Sequence, residues 1–284
     1  MSDATPPAWS PADNPYAIAV SEAQWWLRSA MLTSRRMRDG DDPRSAFSSR
    51  QIDARHLVVA LWQLLMAEKL QQAALRALGI DQAVCAELSR SRQRFEKALP
   101  GVKQMRDALM HFDEWARGKG GGPQKKDVAA GKELRVVAST YWGFAYDAAK
   151  DTITLGPYVI EVEMAIRAAA ELTHDIYQAA RAVDLWNAAK LRAQTVDAIV
   201  AAGMSGELSD HILRIPKGQD TRVWLSLDTT AGEHDLGKLS EQVVAALAVS
   251  GLRLASLIEP QSNNPVERLR AGETLYVAPN DVSS

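Results

Sequence analysis

The sequence predicts a mainly α protein: an up-and-down helical bundle with a β-hairpin insertion, followed by a small C-terminal α+β module. Three observations carry this. Between Tyr16 and Arg117, apolar residues recur at helical spacing in stretches separated by Gly-, Pro- or Asp-rich breaks. From Leu134 to Val162, β-branched and aromatic residues concentrate around a short polar turn. Beyond Gly206, short β-rich runs surround one apolar helical stretch.

Ser21 is the expected cap of a first helix that carries Ala23, Trp26, Leu27, Ala30 and Met31 on one stripe, and Asp39-Gly40-Asp41-Asp42-Pro43 stops it. Trp25, Trp26 and Trp62 read as core. A second helix begins at Ser48 or Ser49 and runs to Leu78, where Gly79 ends it. A third covers Asp81 to Leu99. Pro100-Gly101 breaks the chain, and Val102 opens a fourth. Helices joined by connectors this short pack as antiparallel neighbours.

Gly118 to Lys126 reads as a flexible basic connector. Strands over Leu134–Tyr146 and Thr152–Val162 then form a hairpin about the turn at Asp147–Asp151. Val162 to Ala202 contains neither Gly nor Pro, so it is one long helix or two broken near Asp184, the first half completing the bundle. Gly203 to Gly206 resembles a hinge. Strands at His211–Ile215 and Val223–Asp228, a helix at Leu236–Ser250, and strands at Leu252–Glu259 and Thr274–Val277 make the last module. The expected organisation is a disordered tail over 1–15, a bundle over 16–202 with its hairpin at 134–162, and an α+β domain over 207–279.

Composition narrows the class. The chain has 284 residues, 46% hydrophobic and 24% charged, which is the balance of a globular protein. A net charge of −2 supplies no global field toward nucleic acid, so any such contact needs a local basic patch. The single cysteine, Cys85, excludes an internal disulfide and fits a reducing cytoplasm. The Pro-, Ser- and Asp-rich start lacks the apolar core of a signal peptide, and no apolar run reaches membrane-spanning length. A cytoplasmic location without membrane partners is expected.

The most chemically loaded segment is Arg106-Asp107-Ala108-Leu109-Met110-His111, followed by Phe112-Asp113-Glu114. An imidazole titrates near neutrality, and a guanidinium can clamp phosphate oxygens. At about 100° per residue, Val102, Met105, Leu109, Phe112 and Ala116 share the bundle-facing stripe, with Arg106 at its flank. Asp107 and His111, four residues apart on the outer face, are placed to pair, which would favour the protonated imidazole and orient it. Arg106 and His111 lie about 140° apart, too far to converge on one substrate from a single helix. A two-fold axis repairs this, so a catalytic motif asks for a homodimer.

This segment resembles the motif of HEPN domains, helical bundles marked by Arg, then usually Asn, Asp or His, and a His four to six residues after the Arg. The likeness covers about residues 16–117, extends to the helix after Val162, and leaves out the last 80 residues or so. It implies a metal-independent ribonuclease that cleaves by 2′-OH attack at a dimer interface. Arg106 would hold the scissile phosphate, His111 would transfer protons, and no cofactor or metal would be needed. It equally implies a non-catalytic RNA- or nucleotide-binding or protein-interaction module of a defence or regulatory system, whose protein partner the sequence does not name. Lys103 and the connector's Lys119, Lys125 and Lys126 are the candidate contacts to an RNA backbone.

The spacing by itself is common. With 22 Arg and 5 His, about one Arg-x(4–6)-His match is expected by chance, and Arg50/His56 and Arg167/His174 also satisfy it without Asn, Asp or His next to the Arg. Asp53 with His56, or His111 with Asp113, lacks a third metal ligand at helical spacing. His174, His211 and His234 read as ordinary polar positions. The Gly118–Lys126 loop lacks the Gly-Lys-Ser/Thr ending of a P-loop. Arg35, Arg36 and Arg38, with Arg90, Arg92 and Arg94, read as solvated helix faces.

Overall fold

A computed structural model describes residues 10–41, 48–216, 220–230, 235–256 and 264–280. Expectations placed on the tail up to residue 9, on Asp42-Pro43, on His234 and on the end of the strand after Ser256 lie outside them. The fold is mainly helical, with small antiparallel sheets. The chain divides into two compact units, Trp9–Ala180 and Arg181–Ser284, with one long helix shared between them. No helix among the described residues is long and apolar enough to cross a membrane.

In the first unit, Ser10 caps a 3-10 turn at Pro11–Asp13, so the last residues of the expected tail are structured. Helix α1 (Pro15–Asp39) starts on a proline after Asn14, which leaves Ser21 inside the helix rather than at its cap. Its buried face is small, with Ala19, Ala23 and Ala30 fully covered, so it can lie close along α2 (Ser49–Leu78). Met31 of the expected stripe and Trp25, expected in the core, are exposed, and Trp26 is half-buried. Gly79 ends α2 in the left-handed conformation, where a glycine carries no Cβ strain. Asp81 caps α3 (Gln82–Ala98) by accepting from Ala83 N–H at 2.8 Å.

The motif helix is shorter than expected. Helix α4 (Val102–Met110) stops at His111, whose φ of −121° and ψ of 40° are not helical, and a single turn, α5 (Phe112–Trp115), follows. The core takes Trp115 in place of Phe112. Trp115 is fully buried with Gly120 against its indole, and buried Gln124 accepts from Gly120 N–H at 2.8 Å while donating to Trp115 O at 3.1 Å. The expected flexible connector is therefore an ordered, packed loop leading into α6 (Pro123–Ala129).

Leu134–Thr140, expected as strand, is helix α7. Val137 enters the core, and the following Tyr141 stacks on Tyr158, meets Trp115 edge to face and donates to Asp127 at 3.0 Å. Packing overrides the β preference of Val136, Val137 and Thr140. The hairpin is a three-stranded antiparallel sheet of β1 (Ala145–Asp147), β2 (Thr152–Leu155) and β3 (Tyr158–Glu161), and its first turn falls at the expected place. Gln51 of α2 pairs its amide with both backbone groups of Tyr146, at 3.1 and 2.9 Å, and so ties β1 to the bundle. Arg38 reaches Asp151 at 2.6 Å, and the Tyr146 hydroxyl donates to the other oxygen of that carboxylate at 2.9 Å.

Helix α8 (Val162–Ala201) is continuous through Asp184. Val162, Ala165, Ala169, Leu172 and Ile176 are buried in its first half. After its end, Met204 enters the second unit's core rather than leaving a free hinge, and α9 (Ser205–Ser209) follows. The second unit continues with β4 (Leu213–Arg214), β5 (Val223–Leu227), α10 (Leu236–Val249), β6 (Leu252–Ala255), α11 (Pro265–Arg270) and β7 (Leu275–Pro279). Its sheet is antiparallel between neighbours, in the order β4-β5-β7-β6. Asn264 caps α11 by accepting from Val266 N–H, and Pro265 opens it, a start signal present in the sequence.

Candidate functional site

Arg106 is held from two sides. Its guanidinium lies over the indole of Trp62 on α2, 5.4 Å from the ring centroid. Its Nη1 donates to Asp107 Oδ1 at 2.9 Å. The Arg106 and Asp107 side chains are 32% and 30% exposed, so each still meets solvent. Trp62 was expected in the core; it is half-buried and serves as the shelf for this arginine.

Asp107 was expected to pair with His111 and pairs with Arg106 instead. The reason is geometric: α4 ends at His111, so the regular i,i+4 approach of the side chains is lost, although His111 N–H still donates to Asp107 O at 2.9 Å. Among the described residues, the His111 imidazole has no hydrogen bond. The structure does not bring Arg106 and His111 into contact within one chain. Met110, between them in sequence, is 50% exposed and His111 is exposed, so the outer face of the motif is open within its unit.

An aromatic recess of about 380 Å³ adjoins the motif, lined by Leu109 and Phe112 from the motif segment, by Trp142 and Phe144, and by Arg55. Phe112 and Trp142 are 64% and 53% exposed. Arg55 lies over the Phe144 ring, 5.6 Å from its centroid. The signal of this recess in the sequence is the aromatic run Tyr141-Trp142-Gly143-Phe144, which lies inside the segment expected as strand. Exposed ring faces beside a guanidinium suit a planar, anion-bearing ligand.

Two of the four lysines share a depression. Lys119 and Lys125 line an open depression of about 540 Å³ beside Gly118–Gly121 and Leu134. Lys126 and Lys103 are exposed outside that lining. Asp127, one residue on, is held below the usual carboxylate range by its hydrogen bonds from Lys132 and Tyr141, and burial with that same Asp127 contact pushes the Tyr141 phenol up.

The other candidates resolve into structure. Asp53 is buried with Oδ2 3.3 Å from Arg36 Nε, while His56 is exposed. Among the described residues, no three His, Cys, Asp or Glu side chains gather as metal ligands. Arg90 and Arg94 pair with Glu87, Arg94 also with Asp175, and Arg92 with Glu68 and Glu96. That basic cluster is an ion-pair network. No protein-family model matches the sequence, and neither a curated protein nor a solved structure matches it.

Proposed function

We propose that the chain is a HEPN-type, metal-independent endoribonuclease whose site is completed by a second copy. The observation that supports this most is the state of Arg106, pre-oriented on Trp62 and still accessible beside an open Met110–His111 face. In the proposed reaction, one His111 accepts the proton of the ribose 2′-OH as that oxygen attacks phosphorus. The P–O5′ bond breaks, and the other copy's His111 protonates the departing oxygen. Products are a 2′,3′-cyclic phosphate and a 5′-hydroxyl. Arg106 offsets the negative charge of the phosphorane, and each proton transfer contributes about 10²–10⁴-fold. Phe112 and Trp142 give a neighbouring base a surface to stack on.

The experiment is RNA cleavage by the purified chain with and without EDTA. His111→Ala should abolish cleavage while folding and dimerisation persist, and EDTA should change nothing. Cleavage that survives His111→Ala, or that EDTA removes, overturns the reading. A site shared between two copies also requires a dimer through Met110, weakened by Met110→Lys. Sedimentation of a monomer at tens of micromolar protein, with and without phosphate, removes the shared-site arrangement.

A second reading, a non-catalytic RNA- or protein-binding module, is favoured by a specific feature: Asp107 neutralises Arg106, and among the described residues no carboxylate hydrogen-bonds the His111 imidazole. RNA binding without cleavage under any metal or pH condition would select it.

A further inference from the structure

The aromatic recess beside the motif lies wholly within the first unit. Ala108 and Leu155 are its most enclosed lining residues, and Phe112, Trp142 and Phe144 supply rings around it. At about 380 Å³ it falls in the size class of small-ligand sites, about 300–1,000 Å³. Phe112 and Trp142 are exposed, and among the described residues neither ring packs against another ring. A Cβ at Gly143, between Trp142 and Phe144 in the chain, would meet nothing within 4 Å. The lining there is bare backbone, which a flat ligand can approach closely.

Arg55 supplies the charge. It is exposed, its guanidinium lies over Phe144, and among the described residues its donors meet neither a carboxylate nor any other acceptor. The Trp142 indole N–H is the second side-chain donor of the lining, and it too has no acceptor among the described residues. The lining holds no carboxylate and no amide side chain. Rings plus donors call for a flat ligand with an acceptor-rich edge. Guanine presents two neighbouring acceptors, O6 and N7, which the arginine fork meets with paired N–H groups. Adenine sets an amino donor beside N7, cytosine shows an amino donor, and uracil offers a single carbonyl on that edge. Bases of single-stranded RNA are read in this way, stacked on aromatic side chains and hydrogen-bonded at their edges.

The recess also adjoins Arg106. Arg55 and Trp62 stand seven residues apart on α2, two turns along one stripe and about 10 Å along the axis. Trp62 carries the Arg106 guanidinium, and Ala108, Leu109 and Phe112 of the recess follow Arg106 in the chain.

We propose that the recess is a guanine-specific base site, with Phe112 and Trp142 taking the ring faces and Arg55 reading O6 and N7, so that RNA is cut beside a guanine. The cutting rests on the ribonuclease reading; the guanine site does not.

The test is calorimetric titration of the full chain with GMP, AMP, UMP, CMP and guanosine, none of which the chain can cleave as RNA. GMP should bind most tightly, and guanosine, which lacks the phosphate, should still bind more tightly than adenosine. Trp142→Leu and Phe112→Leu should each weaken GMP binding about 5- to 100-fold. Arg55→Leu should bring GMP down to the level of AMP, with circular dichroism and thermal melting confirming the fold of each variant. Sequencing the ends of RNA products should place the cuts beside guanine, a preference that Arg55→Leu removes. The base site is overturned if no nucleotide binds at millimolar concentration, or if the four nucleotides bind equally and guanosine does not, which would make Arg55 a phosphate contact. Folded Trp142→Leu and Arg55→Leu variants that bind GMP as the parent does also overturn it, as do variants that change only the sedimentation state, which would make the recess a contact between copies. The two readings fail separately. Guanine-selective binding without RNA cleavage keeps the site and removes the ribonuclease, whereas cleavage without guanine selectivity does the reverse.

Discussion

The guanidinium of Arg106 rests on the indole of Trp62, 5.4 Å from its centroid, while Asp107 holds one of its nitrogens at 2.9 Å. An arginine fixed in this way loses little further side-chain freedom when it meets a phosphate. Replacing Trp62 by Leu keeps apolar volume and removes the shelf. A cation–π contact at a partly exposed site contributes about 0.5–1 kcal/mol, so RNA affinity should fall about 2- to 5-fold. Arg106→Lys should lose more, because it keeps charge but loses the planar fork. Titration of a non-cleavable RNA analogue measures both, and equal affinity for Trp62→Leu and parent would show that the shelf does not serve binding.

Asp107 competes for the same guanidinium. The pair is about one-third exposed on both sides, so its removal should cost only about 0.2–1 kcal/mol of stability. Asp107→Asn should therefore tighten binding of RNA or inorganic phosphate by releasing Arg106. A carboxylate that orients His111 would give the opposite, slower cleavage at unchanged affinity, and single-turnover kinetics separates the two.

The legible parts of the sequence were those fixed by local chemistry. Gly79 and Asp81 announced a helix end and a helix cap, and the strands of the second unit followed from Val223-Trp224-Leu225-Ser226-Leu227, whose alternation is the alternation of burial. Contacts distant in sequence decided the remainder. Leu134–Thr140 has strand composition, yet it coils so that Val137 is covered and Tyr141 reaches Trp115 and Tyr158. Periodicity put Phe112 inside and gave no hint that Trp115 would take the core. At the motif, residue spacing located Arg106 and His111, but no spacing rule could show Trp62 beneath the arginine or the helix stopping at the histidine.

Gly120 is a closely packed point of the loop that presents Lys119 and Lys125. A Cβ there would lie 2.7 Å from two atoms of the Trp115 indole and 2.8 Å from Gln124 Oε1. Gly120→Ala should destabilise by about 1–3 kcal/mol, the usual range for overpacking. At Gly121 a Cβ would meet nothing within 4 Å and φ is not positive, so Gly121→Ala should be neutral or gain up to about 1 kcal/mol. Denaturant titration of the two variants reads the contrast, and equal effects would mean that the loop packs less closely on Trp115.

Glu68 provides a pH dependence with a definite sign. Its side chain is 1% exposed on α2, with Arg92 Nη1 of α3 3.1 Å from Oε2. Burial pushes its carboxyl above the usual range, and Arg92 opposes that shift without cancelling it. The folded chain thus holds this proton more tightly than the unfolded chain. The stability contributed by the proton is complete below the unfolded pKa and is lost as pH rises through the raised folded value. Glu68→Gln abolishes that titration, so its melting temperature relative to the parent should climb as pH rises above the ordinary glutamate range. Arg92→Leu should do the reverse, leaving a buried carboxylate without its cation. The loss should be about 2–3 kcal/mol at neutral pH, less than for a fully buried pair because Arg92 is 35% exposed. It should shrink as Glu68 becomes protonated in acid. Parallel melting curves for parent and Glu68→Gln across this range would show that burial does not set the Glu68 proton affinity.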